Sequence, residues 1–517
     1  MTTAPMTKQP PLPPLHGPWR TTSAWGREWP ITGRPAAPAT VVAVLAAATV
    51  AALAIPLDRT GAGWLVTVLA ATAALVVAGR FPARPAPDAP QPLVRLAGPA
   101  ARPDRFGWAG ATVALVAVGT FRSAGWLFAL CLLTSILTGT LALTGGRSMR
   151  SIGAATSMQL MAAFRAVPWL VQGAASLRRR GAGPNVRILA TAGTSVLLLL
   201  VFGGLFASAD AAFADVLSAI VPAFSALTLV RWIFLVVVTG MVVGGSAFLG
   251  ANPPDLSELD ATEGRKVNRL EWAVPLGSLV VLFAGFVGIQ LIVLFGGDRH
   301  VLTTDGLTYA NYARGGFWQL SFVTGLTLLV LAGAARWAPR TTGTDRVLIR
   351  SILGALAGLT LLIVASALMR MHLYAETYGL TRLRLLVACC ELWFGFVLLL
   401  VLVAGIRIRA PWLPRVAIAA GVSALLGLAV ANPDGMIADY NIKQNRTIDL
   451  VYLGRLSPDA VPAIAALDPA ERDCILGRMS MDLAGRGEDG WRGWNLGRER
   501  AREVFDQYID GTNWRCS

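Results

Sequence analysis

Charge is scarce in this chain: Asp, Glu, Lys and Arg make up 15% of its 517 residues, whereas 55% are hydrophobic and the mean hydropathy is +0.58. A soluble chain of this length needs more polar surface than that, so the composition indicates a membrane protein. Histidine is scarcer still. It occurs only at His16, His300 and His372, too few and too scattered for a histidine-rich metal centre, and neither a metal nor another cofactor is expected. The chain lacks a G-x-x-x-x-G-K-S/T phosphate loop, an H-E-x-x-H pair and a G-x-S-x-G elbow, so no catalytic residue is assigned. "GGDRH" (296–300) offers an acid, a base and an imidazole to an envelope enzyme, but it also reads as a polar turn. There is no basic n-region followed by a short apolar core and cleavage site, so no removable leader is expected.

Long apolar runs are abundant. Windows of about 20 residues are needed to cross the hydrocarbon layer, and eleven are legible: 39–57, 61–79, 106–121, 123–144, 188–207, 232–250, 272–295, 317–335, 351–369, 385–405 and 416–431. The third is short. With the N-terminus in the cytoplasm, 26 of the 45 Lys and Arg fall on the cytoplasmic side, 8 in the outer connections and 11 in the tail after residue 432. The basic bias fixes the orientation by the positive-inside rule, and an odd number of spans puts the tail outside. The net charge of +15 therefore follows membrane side, and no nucleic-acid partner is expected.

The expected fold is an all-α polytopic bundle of about eleven spans with a small helical extracytoplasmic domain. Residues 1–38 form a Pro-rich cytoplasmic tail, 39–432 the membrane domain and 433–517 the outer domain. Leu160, Phe164, Val167 and Val171 recur at helical spacing before Arg178, Arg179 and Arg180, the pattern of a helix lying on the cytoplasmic leaflet. The outer connection 208–227 is amphipathic and acidic. "GMVVG" (240–244) and "GALAG" (354–358) read as small-residue contacts between helices. In the tail, Asp449, Ser457 with Pro458, and Asp468 with Pro469 have the chemistry of helix starts. Residues 486–505 add a basic, Trp-rich surface suited to anionic headgroups or an envelope polymer, or to a solvated helical face.

Polar residues converge on the outer side. Tyr309, Tyr312 and Arg314 precede the eighth span, and Arg370, Tyr374, Tyr378 and Arg382 occupy the next outer connection. An aromatic belt with snorkelling arginines accounts for them. The alternative is a pocket in which Arg holds an anionic group and Tyr supplies hydrogen bonds and an aromatic wall. Glu391 lies inside the tenth span, where a carboxylate is expensive unless paired, protonated or hydrated. Arg384, Gln290 and Arg370 are its candidate partners, and the choice is between a structural pair and a proton or substrate relay. Cys131, Cys389 and Cys390 are in apolar spans, leaving Cys474 and Cys516 to form a disulfide in the outer tail, or to remain two free thiols.

The strings "TYANYARGGFWQL", "RMHLYAETYGLTRLR", "LFASADAAFA" and "IADYNIKQNRTIDLVYLGRLSPDAVPAI" resemble a bacterial family of polytopic membrane proteins, domain of unknown function four-one-seven-three or its close relative four-one-five-three. The likeness runs from about residue 188 to 505. It implies a multispanning protein of the bacterial cytoplasmic membrane, common in actinobacteria, with no catalytic residues to carry over. The expected partners are the lipid bilayer and a polar or anionic solute or envelope polymer. Transport or permeation of that solute is the leading reading of function. A non-catalytic envelope sensor or scaffold presenting the tail domain is the alternative, and a membrane-embedded envelope enzyme is the third; the oligomeric state stays open.

Overall fold

A computed structural model describes residues 35–80, 103–179, 226–254, 267–295, 309–339, 342–407, 410–444, 449–485 and 489–508, with isolated positions between. Several expectations lie outside these residues: the Pro-rich tail up to residue 34, most of the 188–207 span and of the 208–227 connection, "GGDRH" and Cys516.

Every regular element among the described residues is helical. The helical bundle comprises α1 (Pro38–Ala54), α2 (Ala62–Arg80), α3 (Pro103–Phe121), α4 (Gly125–Thr144), α5 (Met149–Arg179), α6 (Ala226–Ala251), α7 (Arg269–Phe295), α8 (Tyr309–Trp337), α9 (Gly343–Tyr378), α10 (Arg382–Arg407) and α11 (Leu413–Ala431). Eight of them, α2, α4 and α6 to α11, are long and apolar enough to cross a membrane. The α1 helix is apolar but has only 17 residues. The α3 helix forms with 19 residues, beginning on the polar Pro103 and Asp104, and is not among those eight.

Without a water-driven force between helices in lipid, close contact depends on small residues and interhelical hydrogen bonds. At the α5–α6 crossing, a Cβ on Gly245 would lie 2.7 Å from the Ala163 amide nitrogen, so the backbones touch there. Gln159 Nε2 donates to Ser246 Oγ at 2.9 Å across the same crossing. The "GMVVG" glycine at 244 meets Leu170, but Gly354 and Gly358 of "GALAG" face open space. Among the described residues those two glycines therefore make no helix contact; the neighbouring Leu356 and Ala357 supply the buried face. A second core joins Phe283 and Val287 of α7, Leu320 and Leu331 of α8, Ile363 and Val364 of α9 and Leu398 of α10. Helix α11 joins α3 and α4 to α10, its Val422, Leu428 and Ala429 packing on Leu115, Val118 and Leu127, with Leu385 and Cys389 against the same cluster.

The helix ends sort into two sets. At one end, Arg415 bonds the carbonyls of Gly145 and Gly146 and pairs with Asp104, while Arg350 donates to the carbonyls of Gly405 and Ile406. At the other, Arg231 donates to Ile55 O and Arg122 to the carbonyls of Ala429 and Val430. Helix α5 belongs wholly to the first end: Ile152 packs on Trp108 and Leu141, and Trp169 O accepts from Ala36 N just before α1. It thus lies across the helix ends, with Ala155, Met158, Ala162 and Ala166 buried and Leu160, Phe164, Val167 and Val171 exposed.

The opposite end carries a cap of short helices: α12 (Pro433–Lys443), α13 (Leu450–Leu453), a 3-10 turn (Pro458–Ala460), α14 (Val461–Ile464), α15 (Pro469–Ala484), α16 (Gly490–Gly493) and α17 (Leu496–Tyr508). Asn432 makes the turn from bundle to cap. Its φ of 58° is left-handed, a conformation Asn tolerates at a helix end, and its side chain accepts from Gly435 N to start α12. The cap has one apolar core, including Ile437, Leu453, Val461, Ile464, Leu476 and Phe505, against which Leu380 and Leu385 of the bundle pack.

Candidate functional site

Three buried aspartates clamp the cap to the bundle. Asp434, fully buried at the start of α12, receives the fork of Arg382 at the first residue of α10, Nε at 2.9 Å and Nη2 at 2.6 Å. Trp126 Nε1 and the Ser457 amide also donate to it. Burial alone would raise its pKa, but the Arg382 hydrogen bonds and charge, with those from Ser457, hold it below the usual aspartate value. Arg382 N donates in turn to the Tyr452 hydroxyl at 2.9 Å.

Asp459 caps a helix belonging to the bundle. The α4 helix begins at Ser123–Ala124 with no side-chain cap of its own. Asp459 Oδ2 supplies one from the tail, accepting from Ser123 N (2.7 Å), Ser123 Oγ (2.8 Å) and Ala124 N (3.0 Å). Its other oxygen, Oδ1, is buried against Gly497 without a hydrogen bond. Here burial prevails over the hydrogen bonds from Ser123 and Ser457, and the pKa is raised. Asp489 is the third clamp. Both its oxygens accept from Arg498 Nε at 3.0 Å, Arg59 Nη1 donates at 3.2 Å, and Arg502 closes the group. Burial would raise Asp489, but the Arg498, Arg502 and Arg59 contacts outweigh it and lower its pKa. Arg498 reaches on to Thr60 O at 2.7 Å, and Asn495 Nδ2 to Gly119 O at 2.8 Å. The basic stretch 486–505 therefore turns Arg498 inward onto the bundle, with Trp491 and Trp494 left exposed.

Between clamps and bundle lies a cavity of 640 Å³, with Trp64 and Phe128 on its apolar side and five arginines, Arg59, Arg382, Arg455, Arg478 and Arg498, in its wall. The wall also carries the Ser123 and Ser457 hydroxyls, both donating to Asp459. Its chemistry is that of anion binding and of holding two parts of a chain together.

The residues singled out from the sequence are distributed around this end. Tyr309 and Tyr312 open α8 with Arg314, and their side chains lie outside the described residues. Tyr374 and Tyr378 meet with ring centroids 4.7 Å apart, and Arg384 lies 4.3 Å over the Tyr374 ring. Arg370 is on α9 one turn before Tyr374. Arg382 turns away from these tyrosines, into the Asp434 clamp. Glu391 is fully buried, the tenth residue of α10, about 14 Å along the helix by its rise. Arg384 is not its partner: it donates to the carbonyls of Tyr378 and Gly379. The Ser321 hydroxyl of α8 is the polar neighbour of Glu391. Cys474 is disulfide-bonded, whereas Cys131, Cys389 and Cys390 are free.

Asp434, Asp459 and Asp489 were not among the sequence candidates. A faint signal existed in "NPDG" and "LSPDA", where an acid follows a proline at a helix start, but Asp489 had none.

A family model described as Domain of unknown function (DUF4153) matches residues 110–467. No curated protein and no solved structure matches the chain.

Proposed function

The chain belongs to this family, whose description assigns no activity, and we propose that it moves a polar or anionic solute across a bacterial cytoplasmic membrane. The observation behind this reading is Glu391, a fully buried carboxylate inside a membrane helix with Ser321, and no arginine or lysine within ion-pair distance among the described residues. An ionisable group held there without a cation is costly, and such groups in membrane helices serve proton or solute pathways. The outer Arg and Tyr residues give an anionic solute its first contact.

In this reading the chain crosses eleven times, α1 and α3 included, with one crossing between α5 and α6. Support comes from the ends: α5 meets Ala36 at the uncapped end, whereas Arg231 near the start of α6 meets Ile55 at the capped end. The basic bias supports an uncapped end in the cytoplasm and a cap outside.

Proteoliposomes holding the full chain test the proposal with a panel of labelled organic anions under an imposed pH gradient. Gradient-dependent uptake that Glu391→Gln uncouples is the expected result, and no uptake of any solute defeats it. A sensor or scaffold is the second reading, favoured by a cap clamped to several helix ends. It predicts a partner that leaves with the cap when the tail is deleted.

A further inference from the structure

The cavity between cap and bundle has a charge pattern that the clamps do not use up. Of its five arginines, Arg59 and Arg498 are held by Asp489, and Arg382 by Asp434. Arg455 and Arg478 are different. Both line the cavity and are exposed, and no carboxylate pairs with either among the described residues. Asp58 and Asp482 are the two acids of the wall, and Asp58 is bonded to Arg59 at 2.6 Å. With the clamp carboxylates Asp434 and Asp489 behind the wall counted as well, five arginines stand against four aspartates, an excess of one positive charge.

The opposite side is apolar. Trp64 is the third residue of α2 and Phe128 the fourth of α4, so both sit in the first turn of helices long and apolar enough to cross a membrane, and their rings meet edge to face at 5.3 Å. A volume of 640 Å³ falls in the range of small-molecule sites. The guanidinium fork matches a phosphate bidentately, and two unpaired forks suit a group carrying more than one negative charge.

We propose that this cavity binds an organic phosphate, its phosphate held by Arg455 and Arg478 and its apolar portion against Trp64 and Phe128. The phosphate comes either from a soluble phosphomonoester or from an anionic lipid headgroup. The site is separate from Glu391 and does not require transport, so a binding measurement tests it whether or not solute crosses the membrane.

The experiment uses the full chain. In phosphate-free detergent, calorimetric titration with glycerol 3-phosphate probes the soluble source. In nanodiscs, native mass spectrometry of lipid retained from mixed phosphatidylglycerol and phosphatidylcholine probes the headgroup source. Binding in the first arm identifies a soluble ligand; selective retention of phosphatidylglycerol in the second identifies the lipid. In either case Arg455→Gln with Arg478→Gln weakens binding at least about tenfold, the loss of one charge-assisted hydrogen bond or more, while Arg350→Gln at the uncapped end has no effect. The Lys versions keep the charge but lose the fork, and fall between wild type and the Gln pair, which keeps the test open if the Gln pair folds poorly. Failure of both probes to bind, or undiminished binding by the double Gln variant, overturns the proposal.

Discussion

Asp434 is fully buried and still held below the ordinary aspartate pKa, because a bidentate arginine and a backbone amide meet it. Asp434→Asn leaves Arg382 half-buried without its counter-charge, and since that arginine retains some solvent, the expected cost is about 1–3 kcal/mol in thermal unfolding of the cap. Wild-type stability in this variant would remove Asp434 as a clamp. The three aspartates also set opposing pH dependences. Asp434 and Asp489 have lowered folded pKa values, so their contribution is complete above the unfolded aspartate value of about 4 and is lost as pH falls through the lowered values. Asp459 has a raised pKa, so its charge is a cost at neutral pH that is relieved as pH falls through the raised value. Unfolding midpoints from pH 7 to 3 check this: acid loss begins only below about pH 4, and Asp459→Asn flattens the upper part of the curve. Gly497 makes a steric prediction at the same place. A Cβ there would lie 1.9 Å from Asp459 Oδ1, whereas at Gly454 the nearest atom is 3.5 Å away. Gly497→Ala should lower the melting temperature of the cap clearly more than Gly454→Ala.

Among the elements, α5 shows how one periodicity serves two environments. Its small face, Ala155, Ala162 and Ala166, lets α6 approach to backbone contact at Gly245, and its large face remains exposed where hydrocarbon or headgroups would cover it. Gly245→Val should separate the two helices and destabilise the fold by the overpacking range of about 1–3 kcal/mol. Gly354→Ala and Gly358→Ala, facing open space on α9, should be neutral or gain up to about 1 kcal/mol from helix propensity. Melting temperatures in one detergent compare the three. A spin label at Phe164 should collide with lipid-soluble oxygen, and one at Met158 should not; equal accessibility would contradict the assignment of faces.

For the whole molecule, the tail closes one end of the bundle by ion pairs to the loop before α2 and the start of α10, and by hydrogen bonds to the start of α4. If that end is outside, a phosphatase fused after Ser517 is active and a cytoplasmic fluorescent reporter is dark; bright fluorescence overturns the orientation. The same compartment permits Cys474 to pair with Cys516. Non-reducing alkylation with mass spectrometry of the tail peptides should find the two linked, and modification of both thiols in the untreated protein would exclude the pair.

Hydropathy is a property of consecutive residues, so the sequence by itself determined that this is an all-helical membrane protein, where most spans fall and which face of α5 is apolar. Local chemistry likewise determined the helix starts at Asp449, whose side chain accepts from Tyr452 N, and at Asp468, where Pro469 opens the helix without a side-chain cap bond. The clamps depended on the path of the chain. Arg382 meets Asp434 across 52 positions, Ser123 meets Asp459 across 336 and Arg59 meets Asp489 across 430. Arg382 read as part of a tyrosine cluster because its neighbours in sequence are tyrosines, but burial of Asp434 at a helix start made that carboxylate the stronger claimant on its fork. Only the tertiary structure decided which charges are spent on holding the cap and which, at Arg455 and Arg478, are left facing a cavity, because pairing depends on distance in space and burial gives each pair its weight.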